Sequence, residues 1–334
     1  MSPSPGAKAN LAEDVLAGDR WALARLLSQI EDGDTEGQEG LIALFPHGGQ
    51  AHRIGITGPP GTGKSTLVGR LAQAFRSKTP NGRAKALTVG IVAVDPSSPF
   101  TGGAILGDRI RMSELAGDPG VFIRSMASRG ALGGLSRTTG DVVEALDGAG
   151  FDVLLIETVG AGQAEVDIAR AAQTTIVVEA PGLGDDVQAI KAGILEAADI
   201  LVVNKADLPG AESTLRALRT TVELGHPRAA RAEAVGGVWV PPVLMTQALK
   251  GEGVSEVMDA IRGHREYLER SGEGARRERR RLQAELEACL QEQLAARLSS
   301  QLPDGRLEAA MADVVTRRQT PRQAADRLLV GMPR

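Results

Sequence analysis

The residues Gly58-Pro59-Pro60-Gly61-Thr62-Gly63-Lys64-Ser65-Thr66 have the types and spacing of a loop that cradles phosphate groups. Glycine and proline bend such a loop so that successive N–H groups turn inward around an anion, and the helix that follows adds its positive N-terminal end. In that reading Lys64 reaches the β- and γ-phosphates and the Ser65 hydroxyl lies on a magnesium ion. Asp95, Asp108 and Glu157 are the carboxylates placed to complete the metal site or to act beside it. A hard Mg²⁺ already bound to phosphates needs only one or two protein oxygens besides water. The catalytic candidates are therefore Lys64, Asp95, Asp108 and Glu157, and the metal candidates Ser65, Asp95, Asp108 and Glu157.

Glu157-Thr158-Val159-Gly160 pairs an acid with a glycine three residues later, as nucleotide switches do. The carboxylate helps hold the metal's water shell while the Gly160 N–H senses the γ-phosphate, so the following loop orders with triphosphate and relaxes after hydrolysis. Glutamate stands where aspartate is more usual, and its extra methylene favours contact with metal-bound or attacking water over direct ligation. Further on, Asn204-Lys205-Ala206-Asp207 offers a carboxylate that accepts two hydrogen bonds from guanine N1–H and N2–H₂, a donor pair adenine lacks. That selects GTP over ATP, with GDP as the product. Thr246-Gln247-Ala248 is expected to complete the base pocket by turning main-chain N–H groups to the guanine oxygen, with Gln247 where such proteins often carry serine.

Positioning these residues requires strands that end at them. Apolar β-rich runs at 53–57, 87–94, 121–124, 152–157, 174–179, 200–204 and 242–245 alternate with helical stretches. Val153-Leu154-Leu155-Ile156 and Ile200-Leu201-Val202-Val203 are apolar at every position, the mark of strands covered on both faces. The fold expected is α/β: a mostly parallel sheet with helices on both faces, flanked by N- and C-terminal helical extensions. In such sheets ligands bind beyond the carboxyl ends of the strands, where the phosphate loop, Asp95, Glu157 and Asn204 all fall. The organisation expected is a helical extension at 1–50, a nucleotide domain at 51–270 and a C-terminal helical region at 271–334.

The chain of 334 residues is 42% hydrophobic with only 2% aromatic residues, so a sizeable core is built from Ala, Val, Leu and Ile. A formal charge of -4 and a pI near 5.7 give no general attraction to nucleic acid or to an anionic membrane. The polar start Met1-Ser2-Pro3-Ser4-Pro5-Gly6 and the lack of a long apolar run make a cytoplasmic protein the expectation. Cys289 is the only cysteine, which excludes an internal disulfide framework and a cysteine-rich metal site. Leu11, Val15, Leu16, Trp21, Leu23, Leu26 and Leu27 fit short amphipathic helices packed on the nucleotide domain or on a second subunit. The basic run 275–281 leads into Leu282, Leu286, Leu290 and Leu294 with interleaved glutamates, which reads as an exposed helix with internal ion pairs and an apolar seam rather than a nucleic-acid patch.

Gly58–Thr66, the segments Asp95-Pro96-Ser97-Ser98-Pro99 and Thr101–Asp108, Glu157–Gln163 and Asn204–Asp207 together resemble the MeaB/ArgK-type GTPases, relatives of signal-recognition-particle and metallochaperone GTPases. The resemblance spans about residues 10–270. It implies a homodimeric chaperone of an adenosylcobalamin-dependent methylmalonyl-CoA mutase, whose GTP binding and hydrolysis gate cofactor loading and protect or reactivate the mutase. It further implies a switch loop around Gly182–Lys191, with Asp185, Gln188 and Lys191 facing the partner, and a dimer interface on the C-terminal helices. Without the resemblance, Asp185 and Asp186 read as a solvated helix start. Slow hydrolysis stimulated by the partner is expected, and Arg109, Arg111, Arg124 and Arg129 are the arginines in plausible places to supply charge in cis.

Three other readings share the phosphate loop. A nickel metallochaperone needs imidazole or thiolate ligands near the nucleotide. Here His47, His52, His226 and His264 are scattered in the sequence, and Cys289 is far down the chain. A transport-system ATPase or kinase, the older label of the family, would prefer ATP, which Asp207 opposes. A nucleotide-gated interaction module with negligible turnover uses the same binding residues and differs only in kinetics.

Overall fold

The computed structural model describes residues 11–77, 86–95, 115, 117–127, 137–158, 164–182, 197–225, 238–302 and 305–329. By contacts the chain divides into two compact units, Met1–Arg277 and Glu278–Arg334.

The first unit is built on a seven-stranded sheet in the order β3-β2-β4-β1-β5-β6-β7, every neighbouring pair parallel. The strands are β1 (His52–Thr57), β2 (Val89–Asp95), β3 (Val121–Ala127), β4 (Val153–Thr158), β5 (Thr174–Glu179), β6 (Ile200–Val203) and β7 (Val243–Met245). All seven fall on the apolar runs expected from the sequence. Because side chains alternate faces along a strand, a continuous apolar run must be covered twice. In β4, Val153 and Leu155 join one core while Leu154 and Ile156 join the other. In β6, Ile200 and Val202 face one layer and Leu201 and Val203 the opposite one.

One face is covered by α4 (Lys64–Arg76) and, further along the chain, α8 (Val254–Ser271), through Leu67, Leu71, Phe75, Val257 and Ile261. The other is covered by α5 (Arg137–Gly148), α6 (Ala164–Ala171) and α7 (Ala211–Gly225), and by the N-terminal helices α1 (Leu11–Leu16), α2 (Arg20–Asp32) and α3 (Thr35–Leu44). Of the two placements expected for the N-terminal helices, the structure has the first: Leu26, Leu27 and Leu44 are fully buried in the same core as Leu154 and Ile156. Asp19 caps α2 by accepting from the N–H groups of Trp21 and Ala22 at 2.7 and 3.2 Å. Gly37 lets α3 approach α2 closely, since a Cβ there would lie 2.6 Å from the backbone of Gln29 and Ile30.

The lower, N-terminal edge of the sheet carries buried polar clusters. Arg53 pairs with Glu144 at 2.9 Å and Asp147 at 2.7 Å, and Asp147 also accepts from the N–H groups of Gln50 and Ala51. Beside it a chain of contacts runs from His52 Nε2 to Thr174 Oγ1 (2.8 Å), to His264 Nδ1 (2.9 Å), and from His264 Nε2 to Asp199 (3.2 Å). Arg277 closes it with two bonds to Asp199, at 2.8 and 2.9 Å. The histidines expected to be scattered are thus brought together in part, because Thr174 on β5, the neighbour of β1, bridges His52 to His264 on α8.

The second unit holds most of α9 (Glu273–Gln301), then α10 (Arg306–Val315) and α11 (Pro321–Leu329). Ala310, Ala324 and Leu328 form its small core. Arg281 pairs with Glu278 and Glu285, while Leu286, Leu290 and Leu294 stay more than half exposed. Among the described residues no helix is long and apolar enough to cross a membrane.

Candidate nucleotide site

The phosphate loop leaves the top of β1, the central strand, at Gly58 and enters α4 at Lys64. Two of its glycines have no substitute. Gly58 has φ 133° and a Cβ would fall 2.1 Å from the Val178 carbonyl oxygen; Gly63 has φ 91° and a Cβ would fall 2.4 Å from Asn204 Nδ2. The loop can therefore lie tight against β5 and Asn204. Lys64, 5% exposed, donates to the carbonyls of Gly58 at 2.8 Å and Pro59 at 2.9 Å, which folds its ammonium over the loop. Ser65 Oγ donates to Glu157 Oε1 at 2.7 Å, and both residues are buried. Strand pairing explains that meeting: Glu157 lies opposite Ile56 of β1 on one side and Ala93 of β2 on the other. A buried hydroxyl and carboxylate side by side at the mouth of a phosphate loop are the hard oxygen donors that magnesium prefers, so the residues present fit that ion.

On the base side, Asn204 is 3% exposed and makes three bonds. Its Nδ2 donates to the Thr62 carbonyl at 2.8 Å, while its Oδ1 accepts from Thr246 Oγ1 and the Ala248 N–H, each at 3.0 Å. The amide thus joins the phosphate loop to the 246–248 segment. Lys205 follows with φ 56°, a left-handed turn unusual outside glycine, and Asp207 is exposed. One expectation changes here. The N–H groups of Thr246, Gln247 and Ala248 are engaged by Val203 O, Glu252 O and Asn204 Oδ1, so in this arrangement they do not present free donors to a guanine oxygen. The segment instead orients Asn204.

Asp95 closes β2 opposite Ala127, and its backbone stands at the same sheet edge as Glu157. Asp108, Gly160, Asp185, Gln188 and Lys191 lie outside the described residues, as do Arg109, Arg111 and Arg129. Arg124 is described and is committed elsewhere: its Nε donates to Glu31 at 2.5 Å and its Nη2 to Ser28 at 3.1 Å, tying β3 to α2. It is removed from the arginines available to the phosphates. Arg70 on α4 went unnoticed in the sequence. It holds the carbonyls of Ala248 and Leu249, and no local pattern marks a partner 178 residues away.

The family described as Methylmalonyl Co-A mutase-associated GTPase MeaB matches residues 23–302. The chain belongs to the MeaB family of GTPases. A Pyrococcus abyssi protein whose name designates a GTPase is 44% identical over 96% of this chain and 95% of its own length. GTPase ArgK of Escherichia coli is 36% identical over 79% of each chain. Among solved structures, the crystal structure of an LAO/AO transport system kinase covers 97% of this chain and 98% of its own, with a TM-score of 0.68 and 26% identity. Membership in the MeaB family accounts for the GTPase activity, and Lys64, Ser65, Glu157 and Asn204 gather at the carboxyl ends of the strands around the phosphate loop.

Proposed function

We propose that this GTPase is a chaperone of an adenosylcobalamin-dependent acyl-CoA mutase, methylmalonyl-CoA mutase in the first instance, and that its nucleotide state gates cofactor loading and protects or reactivates the mutase. The observation that carries the reading is the junction at Asn204, where one buried amide fastens the phosphate loop to the base segment. The family description, which names association with the mutase, supports that partner.

In this reading Gly58–Thr66 encloses the triphosphate, and Lys64 leaves the Gly58 and Pro59 carbonyls to pair with the β- and γ-phosphates. Asp207 accepts from the guanine N1–H and N2–H₂, with Lys205 beside the ring and Thr246, Gln247 and Ala248 closing the pocket. Magnesium would be held by Ser65 and Glu157 with Asp95 and Asp108, and supplies positive charge to the phosphate oxygens. Glu157 also orients the attacking water, and Gly160 reports the γ-phosphate to the segment bearing Asp185, Gln188 and Lys191, which faces the mutase. Two copies pair through the leucine seam of α9. The protein acts in the cytoplasm.

The reading is tested by the rate at which apo-mutase acquires adenosylcobalamin, followed by its absorbance, in the presence of this protein. A rate that differs with GTP, GDP and a non-hydrolysable analogue, and loses that dependence with Lys64→Ala, supports gating. Equal rates with all three nucleotides would refute it.

A further inference from the structure

The loop that follows β7 is held from two directions. Its Ala248 N–H is taken by Asn204 Oδ1, and Asn204 in turn holds the Thr62 carbonyl of the phosphate loop. Its outer carbonyls are taken by one guanidinium: Arg70 Nε donates to Ala248 O at 3.1 Å and Arg70 Nη2 to Leu249 O at 2.7 Å. The third nitrogen, Nη1, donates to Gln73 Oε1 at 3.0 Å, which fixes the plane of the fork on its own helix. Within the loop, Gln247 N–H meets Glu252 O at 3.0 Å and Gly251 N–H meets Ala248 O at 3.2 Å. Gly253 turns the chain back at φ 75°, where a Cβ would lie 2.2 Å from Met245 O.

Arg70 stands five residues beyond Ser65 on α4, so about 7.5 Å of rigid helix separates the phosphate end from the clamp on the base end. A planar guanidinium spans two successive carbonyls, whereas an ammonium is a single point donor. We infer that Arg70 is a positioning residue for base selection: it holds the 246–249 loop at a fixed distance from the phosphate loop, and so sets the affinity for guanine and the rejection of adenine. This rests on the guanine-nucleotide reading above. Among the described residues the bonds of Arg70 go to Ala248, Leu249 and Gln73, none of them a phosphate-loop residue or a candidate metal ligand, so its loss loosens the base end first.

The test compares wild type, Arg70→Ala and Arg70→Lys in the full chain by displacement of a fluorescent GDP, with GDP, ADP and inorganic tripolyphosphate as competitors. Arg70→Ala is expected to weaken GDP about tenfold and to shrink the GDP-over-ADP preference by a similar factor, while tripolyphosphate stays within about twofold. Arg70→Lys should fall between the two. GDP binding unchanged in Arg70→Ala, or GDP and tripolyphosphate weakened equally, would overturn the inference. If Arg70→Ala does not fold, Arg70→Gln is measured in the same way, with loss of GDP selectivity at intact tripolyphosphate binding as the required result. A wild type without preference for GDP over ADP would refute the guanine reading itself, whatever Arg70 does.

Discussion

At the scale of single residues, Asn204 is the side chain on which most depends. Its amide is buried and makes three bonds, so Asn204→Ala leaves the Thr62 carbonyl, the Ala248 N–H and the Thr246 hydroxyl without these partners. Each buried polar group left unpaired costs about 1–3 kcal/mol, with partial relief by rearrangement. We expect Asn204→Ala to destabilise the protein by roughly 2–4 kcal/mol in urea unfolding and to abolish detectable GDP binding. A variant with wild-type stability and binding would show that the bridge is idle. The sequence made Asn204 visible because Asn-Lys-Ala-Asp sits at a strand end behind a phosphate loop. It did not reveal which atoms the amide would join, and it left Arg70 unmarked. Side-chain partners separated by 142 or 178 positions are set by the packing of elements and leave no local pattern. Arg124 shows the converse. An arginine in a suggestive place proved to be a tie between β3 and α2.

Among the elements, the strands were legible throughout, since unbroken runs such as Val153–Ile156 can be satisfied only between two layers. The lower-edge cluster was not legible, because His52 is on β1, Thr174 on β5, Asp199 just before β6 and His264 on α8, and they meet only once α8 packs on those adjacent strands. It has a pH consequence. Burial, then the charges of Arg265 and His264, hold His52 down at about 3 against an ordinary 6.5, with Asp199 opposing. A histidine whose folded value is depressed stays neutral in the fold, so its contribution is complete above pH 6.5 and is lost as pH falls through the window from 6.5 to about 3. The loss is about 1.4 kcal/mol per pH unit, or about 2 kcal/mol at pH 5. Urea unfolding at pH 7 and pH 5 should show that drop, and His52→Gln should flatten it. An equal drop in the variant would move its origin to other groups. Asp199 works in the same direction at lower pH: burial pushes its carboxyl up, but hydrogen bonds from His264 and Arg277 more than reverse this and leave it depressed.

For the whole molecule, the phosphate loop, Asn204 and Glu157 belong to the first unit, and the apolar seam of α9 to the second. Leu286, Leu290 and Leu294 are 60%, 51% and 63% exposed, a stripe that a solitary helix gains nothing by displaying. If two copies pair there, the double substitution Leu286→Glu with Leu290→Glu yields a monomer by light scattering while GDP affinity stays unchanged. A dimer that persists places the interface elsewhere. Proposed coupling to the mutase is the claim on which the account of the whole protein stands. It is tested most directly by steady-state GTP turnover of the purified protein, alone and with an adenosylcobalamin-dependent acyl-CoA mutase, using Lys64→Ala as control. The account predicts slow turnover alone and a stimulation of about tenfold or more by the mutase, equivalent to about 1.4 kcal/mol in the barrier, that vanishes in the control. Turnover that the mutase leaves unchanged, with no complex formed in any nucleotide state, would contradict it.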